Sequence, residues 1–217
     1  MFLRSKTIVK LLICAATAAW LAACSAAAVP STPALPTSVP PTSQLTTPAA
    51  EAPFTCHAGV IEQSFEHGFM FWVGHTTQER CNQQHAYTPG SGEVWVAILD
   101  NAGQSGQWLI FVDDWQDGVD AASDPSLTPP EGLSQPVRGF GKVWRTKLSD
   151  QQRTTLGWAT GDELPFSSTY TYQSASFTNA QGVVVPRPGT HTLKGLAGDT
   201  FEFDENTRTV THTLKKS

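Results

Sequence analysis

The stretch that decides the fold is Glu93–Asp113, EVWVAILDNAGQSGQWLIFVD. Its two ends are rich in β-branched and aromatic residues, and a turn rich in Gly and Asn separates them. Two such runs joined by a short polar turn are typical of an antiparallel hairpin. Val94, Val96 and Ile98 share one face of the first strand, which we interpret as its core face. Trp95 alternates with them and is predicted to point the other way.

Strand patterns continue on both sides of this hairpin. One lies upstream, where Phe65, Phe69, Phe71 and Val73 alternate. The others lie downstream and are short: Thr169–Thr178, Val183–Pro186, His191–Leu193, Thr200–Phe203 and Thr207–Thr213. The sequence therefore predicts a mainly β domain, α+β only in a minor way, built from antiparallel hairpins with one or two short helices around residues 139–156.

The helices are predicted from Pro136–Glu163, PVRGFGKVWRTKLSDQQRTTLGWATGDE. Apolar residues recur there at i, i+3, i+4 and i+8, which is one face of a short helix: Phe140, Val143, Trp144 and Leu148. Ser149 and Gln152 have the spacing of a capping box, so a second helical turn is predicted over Asp150–Thr155. Gly157 fits the end of that turn.

Residues 1–24 have the pattern of an export signal. Three basic residues precede Leu11–Trp20, an apolar run too short for an ordinary transmembrane helix. The segment ends in Leu21-Ala22-Ala23-Cys24, which resembles the lipobox of bacterial lipoproteins. That resemblance implies cleavage before Cys24, lipid attachment to it, and anchoring in the cell membrane on the extracytoplasmic side. The alternative is an ordinary signal peptide that is cut nearby, with Cys24 incidental.

Residues 25–53 are predicted to be a disordered linker. They consist almost entirely of Ala, Pro, Ser, Thr and Val, and such a segment cannot bury enough apolar surface to offset its ordering entropy. An extended Pro-rich chain of this length reaches roughly 90 Å. The linker would hold residues 54–217, a single globular domain, at the depth of cell-wall polymers, or it is a spacer without a target.

The charge of the chain argues against two classes of partner. The formal net charge is −5, with 14 basic and 19 acidic residues, and the export signal carries three of the basic ones. An acidic domain is a poor partner for nucleic acid or for the surface of an anionic bilayer. Many remaining basic residues cluster together: Arg138, Lys142, Arg145, Lys147 and Arg153. An acidic run precedes them: Asp113, Asp114, Asp117, Asp120, Asp124 and Glu131. The two groups either face each other or form two solvated surfaces.

Two cysteines, Cys56 and Cys81, remain in the domain after the export signal. An even pair in an exported protein predicts a disulfide between them. A catalytic Cys is the alternative. A metal site at His75, Cys81 and His85 would compete with the disulfide for Cys81.

Three segments resemble LGFP-type repeats of exported bacterial proteins. They are Gln63-x-Phe65-Glu66-x-Gly68-x-Met70-x-Trp72, Gly139-Phe140-Gly141-Lys142-Val143-Trp144 and Leu156-Gly157-Trp158-Ala159. The resemblance implies a non-catalytic module at the cell envelope and carries no catalytic residues. Ala159 stands where that family has its signature proline. The segment Gln173–Gly182 also loosely resembles Gln63–Gly68, which suggests an internal repeat.

No catalytic, metal or cofactor motif emerges from the remaining residues. The six histidines lack ligand spacing, and no nucleophile elbow or phosphate-binding loop is present. Glycan hydrolysis needs only two carboxylates beside a sugar, so it stays as an alternative. Its candidates are Glu66, Asp113, Asp114 and Glu163.

The tryptophans indicate where a ligand could bind. Exposed Trp rings stack on the apolar faces of sugars, although a small β domain also uses Trp to fill its core. Trp72, Trp144 and Trp158 are interpreted as core. A ligand surface is instead predicted at these five residues: Trp95, Trp108, Trp115, Asp113 and Asp114. The resulting hypothesis is a lipid-anchored, non-catalytic domain that binds a cell-wall glycan or an envelope protein. A glycan hydrolase and a structural scaffold are the alternatives.

Overall fold

The computed structural model describes residues 49–74 and 91–216, which all belong to one compact unit. Their strands are β1 (Ala49–Ala50), β2 (Phe54–Phe65), β3 (Gly68–Val73), β4 (Glu93–Leu99), β5 (Ser105–Val112), β6 (Leu164–Gln173), β7 (Phe177–Thr178), β8 (Val184–Val185), β9 (Thr190–Lys194), β10 (Thr200–Asp204) and β11 (Thr209–Thr213). The helical segment, residues 138–156, comprises α1 (Arg138–Lys142), a π-helical turn (Val143–Lys147) and α2 (Asp150–Leu156). None of these described helices has the length and apolar character needed to span a membrane. The prediction of a mainly β domain with short helices is confirmed.

Eight strands close into an antiparallel barrel in the order β10-β11-β5-β4-β3-β2-β6-β9. The predicted hairpin is confirmed as β4–β5, which pair from Glu93 opposite Val112 to Leu99 opposite Gly106. The longest strand, β2, pairs with β3 on one side and with β6 on the other. Closure pairs strands that are far apart in the sequence, such as β6 with β9 and β5 with β11.

Strand β4 is buried on both faces. Trp95, Ala97 and Leu99 belong to an apolar cluster that also contains Trp108 of β5. The alternating residues belong to a second cluster, which the helical segment covers: Val94, Val96 and Ile98. Trp95 is 0% exposed, so the prediction that it points away from the core is wrong. The face with Val94, Val96 and Ile98 is buried because the helical segment packs against it, and the face with Trp95 is buried in the other apolar cluster.

The helical segment has the predicted apolar face, and all of its residues are buried: Phe140, Val143, Trp144 and Leu148. The main-chain N–H of Leu148 donates to the carbonyl oxygen of Val143 at 3.1 Å, an i to i−5 hydrogen bond that ends the π-helical turn. The predicted capping box is also present, since Ser149 and Gln152 exchange hydrogen bonds of 3.2 Å and 2.9 Å. These contacts define the end of the π-helical turn and the start of α2.

The strands β1, β7 and β8 form a separate sheet of three strands. β1 falls within the predicted linker, and Ala50 pairs with Phe177. The side chain of Gln173 also donates to the carbonyl oxygen of Glu51 at 3.0 Å. The last residues of the predicted linker are therefore structured. Residues 1–48, with the lipobox and most of the linker, lie outside the described part of the chain.

The two segments of the suggested internal repeat differ in structure. Gln63–Gly68 forms the end of β2 and the hairpin turn that leads into β3. Gln173–Gly182 contains the last residue of β6, a loop, the whole of β7 and a turn. The two similar segments of sequence therefore do not form the same secondary structure.

Candidate functional site

The five predicted ligand residues do not form one surface. Trp95 and Trp108 are both 0% exposed inside the barrel, and Trp115 is 3% exposed. Rings buried to this extent offer no platform at the surface, so the expectation of three exposed tryptophans is corrected. They fill the core instead, as bulky aromatic residues do in a small β domain. Trp95 and Trp108 nevertheless line a cavity that enters the barrel.

The two predicted aspartates follow β5 and connect it to the helical segment. Asp113 is buried. Asp114 forms ion pairs with Lys142 at 3.2 Å and with Lys147 at 2.7 Å, and its hydrogen bond with Lys147 lowers the pKa of its carboxyl group. Asp120 pairs with Lys142 at 2.8 Å. These acidic and basic residues therefore face each other, and the alternative of two separate solvated surfaces is wrong for them.

The remaining carboxylates proposed for hydrolysis have contacts of their own. Oε2 of Glu66 accepts a hydrogen bond from the main-chain N–H of Trp158 at 2.8 Å. Burial raises the pKa of the Glu163 carboxyl group. In the described ranges, no three His, Cys, Asp or Glu side chains are grouped so that they could hold a metal ion. The alternative metal site at His75, Cys81 and His85 lies outside those ranges.

The predicted cysteine sites fall largely outside the described residues. Cys56 is buried on β2 and is disulfide-bonded. Cys81 and Cys24 lie in segments that the structure does not describe. The pairing of Cys56 with Cys81 and the lipidation of Cys24 therefore stay predictions.

A cleft of about 420 Å³ lies beside the helical segment. Its lining residues are Glu66, Asp124, Leu127, Trp144, Arg145, Arg153, Thr154, Gly157 and Trp158, and we call it the tryptophan cleft. The ring centroids of Trp144 and Trp158 are 5.0 Å apart, and the ring planes meet at 44°. Trp144 is buried and donates from Nε1 to the carbonyl oxygen of Gly157 at 2.9 Å. Trp158 is only partly buried, so the pair forms a fixed aromatic wall with an accessible outer ring.

Two arginines stand beside this aromatic wall. Arg145 donates from Nη2 to the carbonyl oxygen of Ala121 at 2.8 Å and from Nη1 to that of Pro136 at 3.4 Å. Its partial burial lowers the pKa of the guanidinium. The guanidinium carbon of Arg153 lies 5.5 Å from the centre of the Trp144 ring, a cation–π contact. Both guanidinium groups are thus positioned by contacts within the protein.

Two carboxylates complete the polar lining of the tryptophan cleft. Glu66 is held by the main-chain N–H of Trp158. Oδ1 of Asp124 accepts hydrogen bonds from the hydroxyl and the main-chain N–H of Ser126 at 2.6 Å and 2.9 Å, and these bonds lower the pKa of Asp124. The cleft therefore presents hydrogen-bond donors and acceptors of both charges around an aromatic wall.

A second cavity, of about 620 Å³, enters the barrel. Its lining residues are Glu93, Trp95, Gln107, Trp108, Leu109, Ile110, His191, Glu205 and Arg208, and we call it the barrel cavity. The ladder between β5 and β11 ends at Gln107 opposite Thr209, whereas the ladder between β4 and β5 continues to Val112. The barrel cavity is lined by the β5 residues at and just beyond the end of that short ladder.

A buried hydrogen-bond chain borders the barrel cavity. The hydroxyl of Tyr170 lies 2.6 Å from Nδ1 of His191, and Nε2 of His191 lies 3.1 Å from Oε1 of Glu205. Burial lowers the pKa of His191, so the neutral ring accepts from Tyr170 and donates to Glu205. Glu205 also accepts from the hydroxyl of Tyr172 at 3.1 Å. The chain fixes the orientation of the His191 ring at the cavity wall.

Sequence reasoning missed most of the residues that line these two sites. Arg145 and Arg153 were noted only as part of a basic cluster, although each lies close to a predicted core tryptophan in sequence. Glu205 follows the predicted strand Thr200–Phe203, and Arg208 lies in the predicted strand Thr207–Thr213, and nothing local distinguishes either residue from other solvated charges. Only their position at the barrel cavity does so.

The protein is a closed antiparallel barrel, with the helical segment packed on it and two cavities, the tryptophan cleft and the barrel cavity. No protein-family model, no curated protein and no solved structure matches the chain. The resemblances to the lipobox and to LGFP-type repeats therefore stay predictions.

Proposed function

We propose that the protein is a non-catalytic binding domain, held by a lipid on Cys24 at the extracytoplasmic face of the cell membrane, and that its ligand is a cell-wall polysaccharide. The tryptophan cleft is the proposed site. The observation that carries the proposal is the pairing of Trp144 and Trp158 between two positioned arginines and two carboxylates.

The aromatic pair supports a sugar ligand. A saccharide ring has apolar C–H faces, and a partly exposed indole such as that of Trp158 offers a flat surface of matching size. Trp144 supports Trp158 from behind, and its own hydrogen bond to Gly157 fixes its ring. A ring held in place in this way loses little conformational entropy when a ligand binds.

The polar lining supports the same ligand class. Sugar hydroxyls both donate and accept hydrogen bonds, so they fit a cleft that is lined by both guanidinium groups and carboxylates. Two arginines and two carboxylates line the cleft, and Arg153 forms an ion pair with Asp150 at 2.7 Å, so the site offers no large net charge to a charged ligand. Binding is therefore expected to be largely independent of salt.

The carboxylates of the cleft favour binding over hydrolysis. A glycosidase needs one carboxyl group whose raised pKa lets it act as a general acid. The pKa of Asp124 is lowered by its hydrogen bonds to Ser126, and Glu66 is committed to the main chain of Trp158. The hydrolase alternative is tested by adding sacculi to the protein and measuring soluble sugar fragments. Fragments that disappear in Glu66→Gln and Asp124→Asn would replace the binding proposal with hydrolysis.

The test of binding is co-sedimentation of the full chain, in mild detergent, with purified cell-wall sacculi at low and high salt. We expect saturable binding that resists salt and weakens at least about tenfold in Trp158→Ala, a loss of about 1.4 kcal/mol. Trp158→Phe keeps an aromatic face and is expected to retain most of the affinity.

Arg153→Ala and Arg187→Ala provide a matched pair of variants. Each arginine lies over an aromatic ring, Arg153 over Trp144 and Arg187 over Phe177 at 5.0 Å, but only Arg153 lines the tryptophan cleft. We expect Arg153→Ala to weaken binding and Arg187→Ala to leave it unchanged. Absence of binding at every salt concentration would contradict the polysaccharide and favour a scaffold that contacts another envelope protein.

A further inference from the structure

The barrel cavity has no part in polysaccharide binding at the tryptophan cleft, yet it has the features of a ligand site. Its volume of about 620 Å³ lies in the range of small-molecule pockets. Eight-stranded barrels are wide enough to hold one small ligand. Its wall also contains groups of both charges whose interactions within the protein are incomplete.

The first such group is a pair of donors. Nε1 of Trp108 is buried and has no hydrogen-bond acceptor among the described residues. The guanidinium carbon of Arg208 lies 5.5 Å from the centre of the Trp108 ring, and in the described part of the chain no carboxylate forms an ion pair with Arg208. The backbone of Arg208 has a φ of +56°, a left-handed conformation that a non-Gly residue rarely adopts. Strain of this kind concentrates at binding sites.

The second group is a carboxylate. Oε2 of Glu93 accepts a hydrogen bond from Nε1 of Trp95 at 2.8 Å, and no Lys or Arg in the described ranges forms an ion pair with Glu93. Glu205, the other carboxylate of the cavity, differs because it accepts from Tyr172, His191 and the main-chain N–H of Gly189. No basic side chain of the described residues therefore contacts the Glu93 carboxyl group directly.

Aromatic rings line the same cavity as these two charged groups. The Trp95 and Trp108 rings pack edge to face with centroids 5.1 Å apart, and His191 lies 5.0 Å from Trp95 and 5.4 Å from Trp108. Glu93, Arg208 and His191 line the same cavity. The cavity thus combines an unpaired cation, an unpaired anion and an apolar floor.

We infer that the barrel cavity binds a small zwitterion of the α-amino acid type, with its carboxylate on Arg208 and Nε1 of Trp108 and its ammonium group on Glu93. A ligand with only a negative charge would leave Glu93 without a partner, and a ligand with only a positive charge would leave Arg208 without one. Arg208 is exposed and Glu93 is half-buried, so both charges are accessible to a ligand, and a ligand with both charges pairs with both groups at once.

The test is isothermal titration calorimetry of the full chain in mild detergent with three sets of compounds. Free amino acids are the zwitterions, their N-acetyl derivatives keep only the carboxylate, and their amides keep only the ammonium group. We expect saturable binding of at least one free amino acid and at least about tenfold weaker binding of its N-acetyl and amide derivatives. Equal binding of either derivative would overturn the zwitterion, and no heat with any compound at concentrations above about 1 mM would overturn the site.

Variants locate the binding within the chain. Arg208→Gln and Glu93→Gln are expected to abolish the calorimetric signal, and the glutamine at position 93 can still accept from Trp95. Arg187→Gln is the matched control, since its guanidinium also lies over an aromatic ring but outside the cavity. Retained binding in Arg208→Gln would overturn the assignment. Two cross-checks separate this inference from the proposed function. We expect Arg208→Gln to bind sacculi as the unchanged protein does, and Trp158→Ala to bind the amino acid as the unchanged protein does.

Discussion

Glu66 and Trp158 join the β2–β3 hairpin to the end of the helical segment through two reciprocal hydrogen bonds. The main-chain N–H of Trp158 donates to Oε2 of Glu66 at 2.8 Å, and the main-chain N–H of Glu66 donates to the carbonyl oxygen of Trp158 at 3.0 Å. The residues are 92 positions apart in the chain. Their contact holds one wall of the tryptophan cleft against the barrel.

Replacing Glu66 by Ala is expected to loosen this wall. The N–H of Trp158 loses its acceptor, so we expect a decrease of about 1 kcal/mol in the free energy of unfolding, measured by urea denaturation. Hydrogen exchange is expected to accelerate in residues 150–158 more than in the barrel strands. Glu66→Gln keeps an acceptor oxygen and is the control, and an equal loss in both variants would contradict the role of this hydrogen bond.

Gly68→Ala is expected to destabilise the barrel strongly. Gly68 has a φ of +150°, and a Cβ at this position would overlap the carbonyl oxygen of Ala97 on β4. We expect a loss of about 3 kcal/mol or more in the free energy of unfolding. Gly103→Ala is the comparison, because its φ is +68° but no atom lies within 4 Å of the added Cβ. Gly103→Ala should lower the free energy of unfolding by only about 1–2 kcal/mol, through backbone strain. Similar losses for the two variants would show that the overlap with Ala97 is relieved in Gly68→Ala.

Stability is expected to fall as the pH drops below 6.5, in part because of His191. Burial lowers the pKa of His191 in the folded state below its ordinary value of 6.5. The unfolded chain therefore takes up a proton at a higher pH than the folded protein does, so the contribution is complete above 6.5 and is lost as the pH falls. His191→Gln should flatten the dependence of the unfolding free energy on pH between about 7.5 and 5.5, and an unchanged slope would contradict this prediction. The pKa of Glu205 is also lowered, but from 4.5, so that carboxyl contributes only at lower pH.

Peptide mapping without reduction is expected to recover Cys56 linked to Cys81. The predicted disulfide closes a loop that removes entropy from the unfolded chain, and its reduction should cost about 3 kcal/mol of stability. The buried position of Cys56 predicts that reduction requires partial unfolding. Recovery of Cys56 linked to any other cysteine would contradict the pairing.

Local patterns predicted the elements of this fold because their signals lie within a few residues. The alternation in Glu93–Asp113 predicted β4–β5, and Ser149 with Gln152 predicted the start of α2. Closure of the barrel was not predictable in the same way, since the pairing of β6 with β9 or of β5 with β11 leaves no periodic mark in the sequence. The error at Trp95 has the same origin. A strand buried on both faces does not show which residues point into the barrel.

The sites were less predictable than the fold. Trp144 was correctly interpreted as core, but its role in a cleft depends on Glu66, Arg153 and Trp158, which come from different elements. In the barrel cavity, Trp95 and Trp108 were among the predicted ligand residues, while Glu205 and Arg208 come from the turn between β10 and β11. A charge in a polar turn looks solvated in the sequence whether or not a cavity lies beneath it.

The position of β2 has a mechanical consequence for a tethered domain. The chain enters the barrel through this strand, which is the longest of the described strands and pairs with β6 from Phe54 to Glu62 and with β3 from Val60 to Phe65. With the proposed anchor at Cys24, tension between membrane and wall would act along β2. A pull in this direction shears many ladder hydrogen bonds together instead of opening them one by one. If the domain is anchored as we propose, the strand order would therefore make the barrel resist force applied through β2.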